Sequence, residues 1–219
     1  MGEEGETFMY EYVTKGEVAE YRACCSDVLN RLKMKLEKEY DIMAYVTLIG
    51  SGAKNMVMRN GKGPFDLDYN LVLTSIPQKY EKSPDRLKNR IRELLNSMVD
   101  KRFKPGKDST SSIKYIVHAR DGKTVVFSFD LALIREEGGK SKLIHDKTQG
   151  VFIWNQIRDS GDLDKKVAVI KKVGRWMNVR EDYRKLKNGY LKDGDRYHPS
   201  FVVYIQAVNQ VYYAMKTGN

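Results

Sequence analysis

The chain has 219 residues, 41% of them hydrophobic and 31% charged, which describes a globular protein long enough to bury a real core. No apolar run approaches the ~20 residues needed to span a bilayer, and Met1 to Glu6 is acidic and lacks the apolar segment of a signal peptide, so a cytoplasmic location and no membrane partner are expected. The formal net charge is +10, but residues 1–50 carry 6 Lys/Arg against 10 Asp/Glu, a net of −4 that leaves +14 on residues 51–219. A body this basic suits a polyanionic partner, either a nucleoside triphosphate or a nucleic acid.

Residues 16–40 read as a helix, with Val18, Tyr21, Cys25, Val28, Leu32 and Leu36 recurring at spacings of three and four on one face. The two cysteines, Cys24 and Cys25, are adjacent and cannot staple distant parts of the chain. Next comes a short strand, Tyr45–Ile49, running into Gly50-Ser51-Gly52. Backbone amides in such a glycine turn can approach phosphate oxygens, and the serine hydroxyl adds a donor. Residues 52–65 form a spacer in which Arg59 to Pro64 reads as an exposed loop, with Lys54, Arg59 and Lys62 as candidate phosphate or acceptor contacts.

Phe65-Asp66-Leu67-Asp68-Tyr69-Asn70-Leu71-Val72-Leu73 is rich in aromatic and aliphatic residues and reads as a strand. Alternation puts Asp66 and Asp68 on one face, about 7 Å apart along the backbone. A helix opens at Ser83-Pro84-Asp85 and runs to about Lys101, with Leu87, Ile91, Leu94, Leu95 and Met98 inward. The runs 112–119 and 124–134 flank Asp121-Gly122, the signature of a tight hairpin whose two central residues take positive φ. Its second strand carries Asp130. Three carboxylates on apolar strands would be desolvated and mutually repelled, and a divalent cation with a taste for hard oxygen ligands resolves both problems.

The ordered set of an apolar strand, Gly50-Ser51, Asp66-x-Asp68 on the next strand and Asp130 on a later one resembles the DNA polymerase β-like nucleotidyltransferase superfamily. Within it, the chain is most similar to the oligoadenylate synthase-like and CCA-adding-like minimal enzymes. The resemblance implies an α+β fold, a mixed β-sheet flanked by helices, with a catalytic core over residues 1–140 and a C-terminal helical lobe over 141–219. In that lobe, 163–179 and about 199–215 are the clearest helices. The stretch Val151-Phe152-Ile153-Trp154 has no assigned role.

The resemblance also assigns roles. Asp66, Asp68 and Asp130 would be catalytic and would hold two Mg²⁺ ions, with Mn²⁺ as a substitute, while Gly50 and Ser51 would bind the nucleotide. Lys172, together with Lys171 and Arg175, and Ser200 at the Pro199-Ser200-Phe201 helix start would reach the triphosphate from the helical lobe. The expected reaction is transfer of a nucleoside monophosphate from a nucleoside triphosphate to a hydroxyl of a small molecule, a second nucleotide or a protein. The alternatives are a template-independent RNA-end transferase, which makes RNA a possible partner, and a non-catalytic nucleotide-binding module.

Overall fold

The computed structural model describes residues 9–148, 150–157, 161–195 and 198–217. The acidic residues 1–8 lie outside the described residues. The elements begin with β1 (Tyr10–Tyr12), α1 (Lys15–Tyr40), β2 (Met43–Ile49), α2 (Gly50–Ala53), β3 (Met58–Asn60) and β4 (Phe65–Ser75). They continue with α3 (Gln78–Glu81), α4 (Pro84–Met98), β5 (Phe103–Pro105), β6 (Ser112–His118) and β7 (Val125–Glu137). The last are β8 (Lys140–Thr148), β9 (Val151–Gln156), α5 (Gly161–Lys172), α6 (Trp176–Lys192) and α7 (Ser200–Thr217). The fold is α+β, with a mixed sheet.

The chain divides into two compact units. Among the described residues, the first combines Val13–Val57 with Lys62–Ile157, and the second combines residues 9–12, Met58–Gly61, 161–195 and 198–217. The first is built on a sheet of order β2-β4-β7-β6-β5, in which β4 and β7 run parallel and β2 and β6 pair antiparallel to them. One face of β4 is fully apolar: Phe65, Leu67, Tyr69, Leu71 and Leu73 are buried, and Phe127, Phe129, Leu131 and Leu133 continue that face on β7. Helix α1 covers it with Cys25, Val28, Leu29, Leu32 and Leu36, and α4 adds Leu87, Ile91 and Leu95. Tyr21 of α1 stacks on Phe127 at 4.2 Å and meets Phe65 edge-on. At about 1.5–3 kcal/mol per large apolar side chain buried, this face holds the strands in register.

The helix boundaries follow from local chemistry. Thr14 caps α1 by accepting from the Glu17 amide, and Asp41, in the left-handed region, closes its end. Helix α4 starts at Pro84 and stops at Met98 because Val99 is extended, short of the expected Lys101.

Four expectations are corrected. Residues from 141 onward were expected to be helical, but β8 and β9 are strands of the sheet. Strand β7 is 13 residues long, so β6 pairs with its first half and β8 with its last four residues. The loop expected around Arg59 contains β3, which pairs antiparallel with β1 in a two-stranded ribbon belonging to the second unit. Asp121 has no positive φ; it closes the hairpin through its carboxylate instead, accepting from the amides of Lys123 and Thr124 and from the Thr124 hydroxyl. The single helix expected over 163–179 is two helices. Gly174 sits between them at φ +73°, a conformation that ends α5 at little steric cost, and Val173 beside it is exposed.

The second unit packs α5, α6 and α7 around Ile170, Val179, Tyr183, Val203, Ala207 and Val208. Its ribbon is tied on by a reciprocal pair: the Tyr10 amide donates to Asn188 Oδ1 and Asn188 Nδ2 to the Tyr10 carbonyl. No helix among the described residues is long and apolar enough to cross a membrane.

Candidate functional site

The buried side of β4 fixes the direction of the alternate residues. With Leu67 and Tyr69 facing the core, Asp66 and Asp68 must face away from it. Strand β7 obeys the same rule, its Phe129 and Leu131 buried and Asp130 turned to the opposite face. The parallel register sets Asp68 directly beside Asp130, and on the other flank Asp68 lies opposite Ile49, the last residue of β2. One carboxylate oxygen from each of Asp66, Asp68 and Asp130 lies within 4.8 Å of the others. Asp66 is exposed, whereas Asp68 and Asp130 are half-buried.

Electrostatics in this cluster is unfavourable for Asp68. Burial, followed by the neighbouring Asp66 and Asp130 charges, pushes its pKa up from 3.8 to about 6, while Lys114 and Lys54 act in the opposite direction. Asp130 is restrained at both oxygens: the Ser112 hydroxyl donates to Oδ1 and Lys114 Nζ to Oδ2, each at 2.8 Å. Three hard, anionic oxygen donors this close fit a magnesium-class cation, and their mutual repulsion is the penalty such a cation removes.

Gly50 begins the single turn α2 at φ +59°, where a Cβ would stand 2.5 Å from Asp68 Oδ2. Only glycine lets the backbone come this close to the carboxylate. Ser51 follows, half-buried, and its carbonyl accepts from the Met56 amide at 2.9 Å. Lys54 folds back so that its Nζ donates to the Gly50 carbonyl at 3.0 Å. The structure therefore brings Gly50, Ser51 and the three aspartates together where β2 ends, beside the first residues of β4 and the middle of β7.

The other predicted contacts lie in the helical unit. Lys172 is the exposed last residue of α5. Lys171 beside it places its Nζ 4.9 Å from the centre of the Trp176 ring, and Arg175 is the residue just before α6. Ser200 is the exposed first residue of α7, and its hydroxyl accepts from Lys187 Nζ at 3.0 Å. Arg59 lies on the ribbon strand β3.

Lys114 and Ser112 are site residues that the sequence reading missed. They occupy the polar positions of β6, alternating with buried Ile113 and Tyr115, so the period-two pattern gives their face. Their partner is set by a register irregularity. A two-residue loop centred on Asp121-Gly122 would put Lys114 opposite Phe129, but the shift between Val117 and His118 puts it opposite Asp130.

Sequence comparison finds no matching protein family and no matching curated protein. Solved structures do match. CdnC of E. coli MS115-1, in a complex with HORMA-deltaN, aligns with a TM-score of 0.53 at 17% identity over 95% of this chain and 61% of that one. The Vibrio cholerae DncV cyclic AMP-GMP synthase, a prokaryotic cGAS homolog, aligns with a TM-score of 0.55 at 11% identity over 80% and 61% of the two chains. The chain thus shares its fold with these CdnC and DncV structures. The same synthase in complex with the linear intermediate 5′ pppA(3′,5′)pG aligns at 0.53 and 9% identity, over 80% of this chain and 60% of that one. This chain spans about three-fifths of the length of these solved structures.

Proposed function

We propose that the chain is a metal-dependent nucleotidyltransferase, which moves a nucleoside monophosphate from a nucleoside triphosphate to a hydroxyl acceptor and releases pyrophosphate. The observation that carries this reading is the gathering of Asp66, Asp68 and Asp130 within 4.8 Å, with Gly50 pressed against Asp68. Asp66 and Asp68 would hold two Mg²⁺ ions, or Mn²⁺ in their place, and Asp130 would join them on the acceptor side. When bound, the metal neutralises phosphate charge and lowers the pKa of the acceptor hydroxyl.

The chain's own groups supply position and proton transfer. The Gly50-Ser51 turn offers backbone amides and a hydroxyl to the triphosphate, and Lys172 and Ser200 are proposed to contact it from the helical unit. The acceptor oxygen forms a bond to the α-phosphorus, the bond from that phosphorus to the bridging oxygen breaks, and the electron pair leaves with pyrophosphate. Asp130 takes the hydroxyl proton. In-line geometry and charge neutralisation do most of the catalytic work in such a reaction.

Among acceptors, a second nucleotide is favoured over a small molecule, a protein or an RNA end. The support is the linear dinucleotide held by a solved neighbour of the same fold.

The test is incubation with each α-labelled nucleoside triphosphate and Mg²⁺ or Mn²⁺, with label followed on the protein, on RNA and among small molecules, alongside pyrophosphate release. Asp130→Asn keeps the size but loses the charge and the proton acceptor. It is expected to abolish transfer and to leave nucleotide binding within about threefold, since Asp66 and Asp68 remain. Near-wild-type turnover by this variant would refute the role of Asp130.

A further inference from the structure

The Asp130 carboxylate already has a cation beside it. Lys114 Nζ lies 2.8 Å from Oδ2, and Ser112, anchored in turn by a 2.8 Å hydrogen bond to Ser109, holds Oδ1. The serine alone can orient the carboxylate, so the lysine adds charge rather than geometry. Its backbone is fixed, because Ile113 and Tyr115 on either side are fully buried. Its side chain is not: 34% of its surface is exposed, and its four-carbon stem can carry the ammonium elsewhere without moving β6.

We propose that Lys114 is a tethered counter-cation of the aspartate cluster, which occupies the place of a divalent cation at Asp130 and weakens cation binding until an anion draws it away. This rests on reading the cluster as a divalent-cation site. Three carboxylates carry a charge of −3, and Lys114 lowers the local total to −2 while standing within bonding distance of one proposed ligand. A cation arriving at Asp130 must displace the ammonium or sit a few ångströms from it, and both options cost affinity. A triphosphate arriving at the Gly50-Ser51 turn offers the ammonium a second, more highly charged partner. Lys114 is thus a positioning residue that ties metal loading to the arrival of nucleotide, while keeping the empty cluster from repelling itself apart.

The test measures Mn²⁺ binding by electron paramagnetic resonance on the nucleotide-free chain. Lys114→Met is expected to bind Mn²⁺ about tenfold more tightly than wild type, and Lys114→Arg, which keeps the charge, to bind within about threefold of it. In an Asp130→Asn background the gain should vanish, as a double-mutant cycle requires. Thermal unfolding supplies a second readout. Lys114→Met should melt lower than wild type in EDTA yet gain more from added Mn²⁺, whereas a merely structural lysine would lower both melting temperatures alike. Mn²⁺ affinity that is unchanged or weaker in folded Lys114→Met, but weakened in Asp130→Asn, would overturn the counter-cation role alone. Equal Mn²⁺ binding by wild type and Asp130→Asn would instead show that Asp130 is not a cation ligand, and would remove the role of Lys114 with it.

Discussion

Replacing Asp68 with asparagine should stabilise the metal-free protein and make it indifferent to metal. In the folded chain the Asp68 pKa stands at about 6 against 3.8 in its absence of interactions, raised first by burial and then by Asp66 and Asp130. Between those values the folded chain holds the proton and the unfolded chain has released it. Stability therefore falls as pH rises through the window from about 4 to 6 and stays low above it. A difference of about two units amounts to at most about 3 kcal/mol at pH 8. Asparagine carries no charge to desolvate, so Asp68→Asn should recover most of this and raise the melting temperature by roughly 5–10 °C for a chain of this size. The assay is calorimetric unfolding in EDTA at pH 5 and pH 8, repeated with saturating Mg²⁺. Wild type should be less stable at pH 8 than at pH 5 in EDTA and gain markedly from Mg²⁺, whereas the variant should show neither effect. A variant that melts below wild type in EDTA at pH 8 would refute the reasoning, since Asp68 would then be a net stabilising charge.

Gly50→Ala places a methyl group 2.5 Å from Asp68 Oδ2 at φ +59°. The backbone conformation alone costs about 1–2 kcal/mol, and the carboxylate must move, so Mn²⁺ affinity by titration should fall at least about tenfold; an unchanged affinity would show that the close approach is not needed. Phe129 is fully buried, stacks on Tyr115 at 5.3 Å and meets Tyr69 and Phe103 edge-on, so Phe129→Ala should cost about 3–5 kcal/mol in urea unfolding. A loss below about 1 kcal/mol would mean that the aromatic layer behind Asp130 does not hold β7 in place.

The site was legible where chemistry and periodicity coincide. Asp66 and Asp68 sit at a spacing of two in an otherwise apolar strand, a pattern that betrays both the strand and the face, and Asp130 repeats it on β7. What stayed hidden depends on partners far along the chain. Strand β8 has only Ile144 fully buried among polar residues, and its strand character comes from pairing with β7 and β9. The three-residue strands β1 and β3 are defined only by each other, from opposite sides of α1 and β2. Lys114 reads as an ordinary outward lysine until the register shift next to the hairpin carries it to Asp130. The break between α5 and α6, by contrast, had a local signal in Gly174 that the helical periodicity on either side outweighed.

On the proposed reading, the aspartate cluster holds a nucleoside triphosphate through divalent cations. Its most direct test is a calorimetric titration with a non-hydrolysable triphosphate, run with Mn²⁺ and with EDTA on the wild type and on folded Asp66→Asn/Asp68→Asn. Mn²⁺-dependent binding is expected of the wild type, and at least about a hundredfold weaker binding of the double variant, the loss that follows when charged ligands are removed from a metal site. Equal affinity in EDTA, or in the double variant with Mn²⁺, would contradict it.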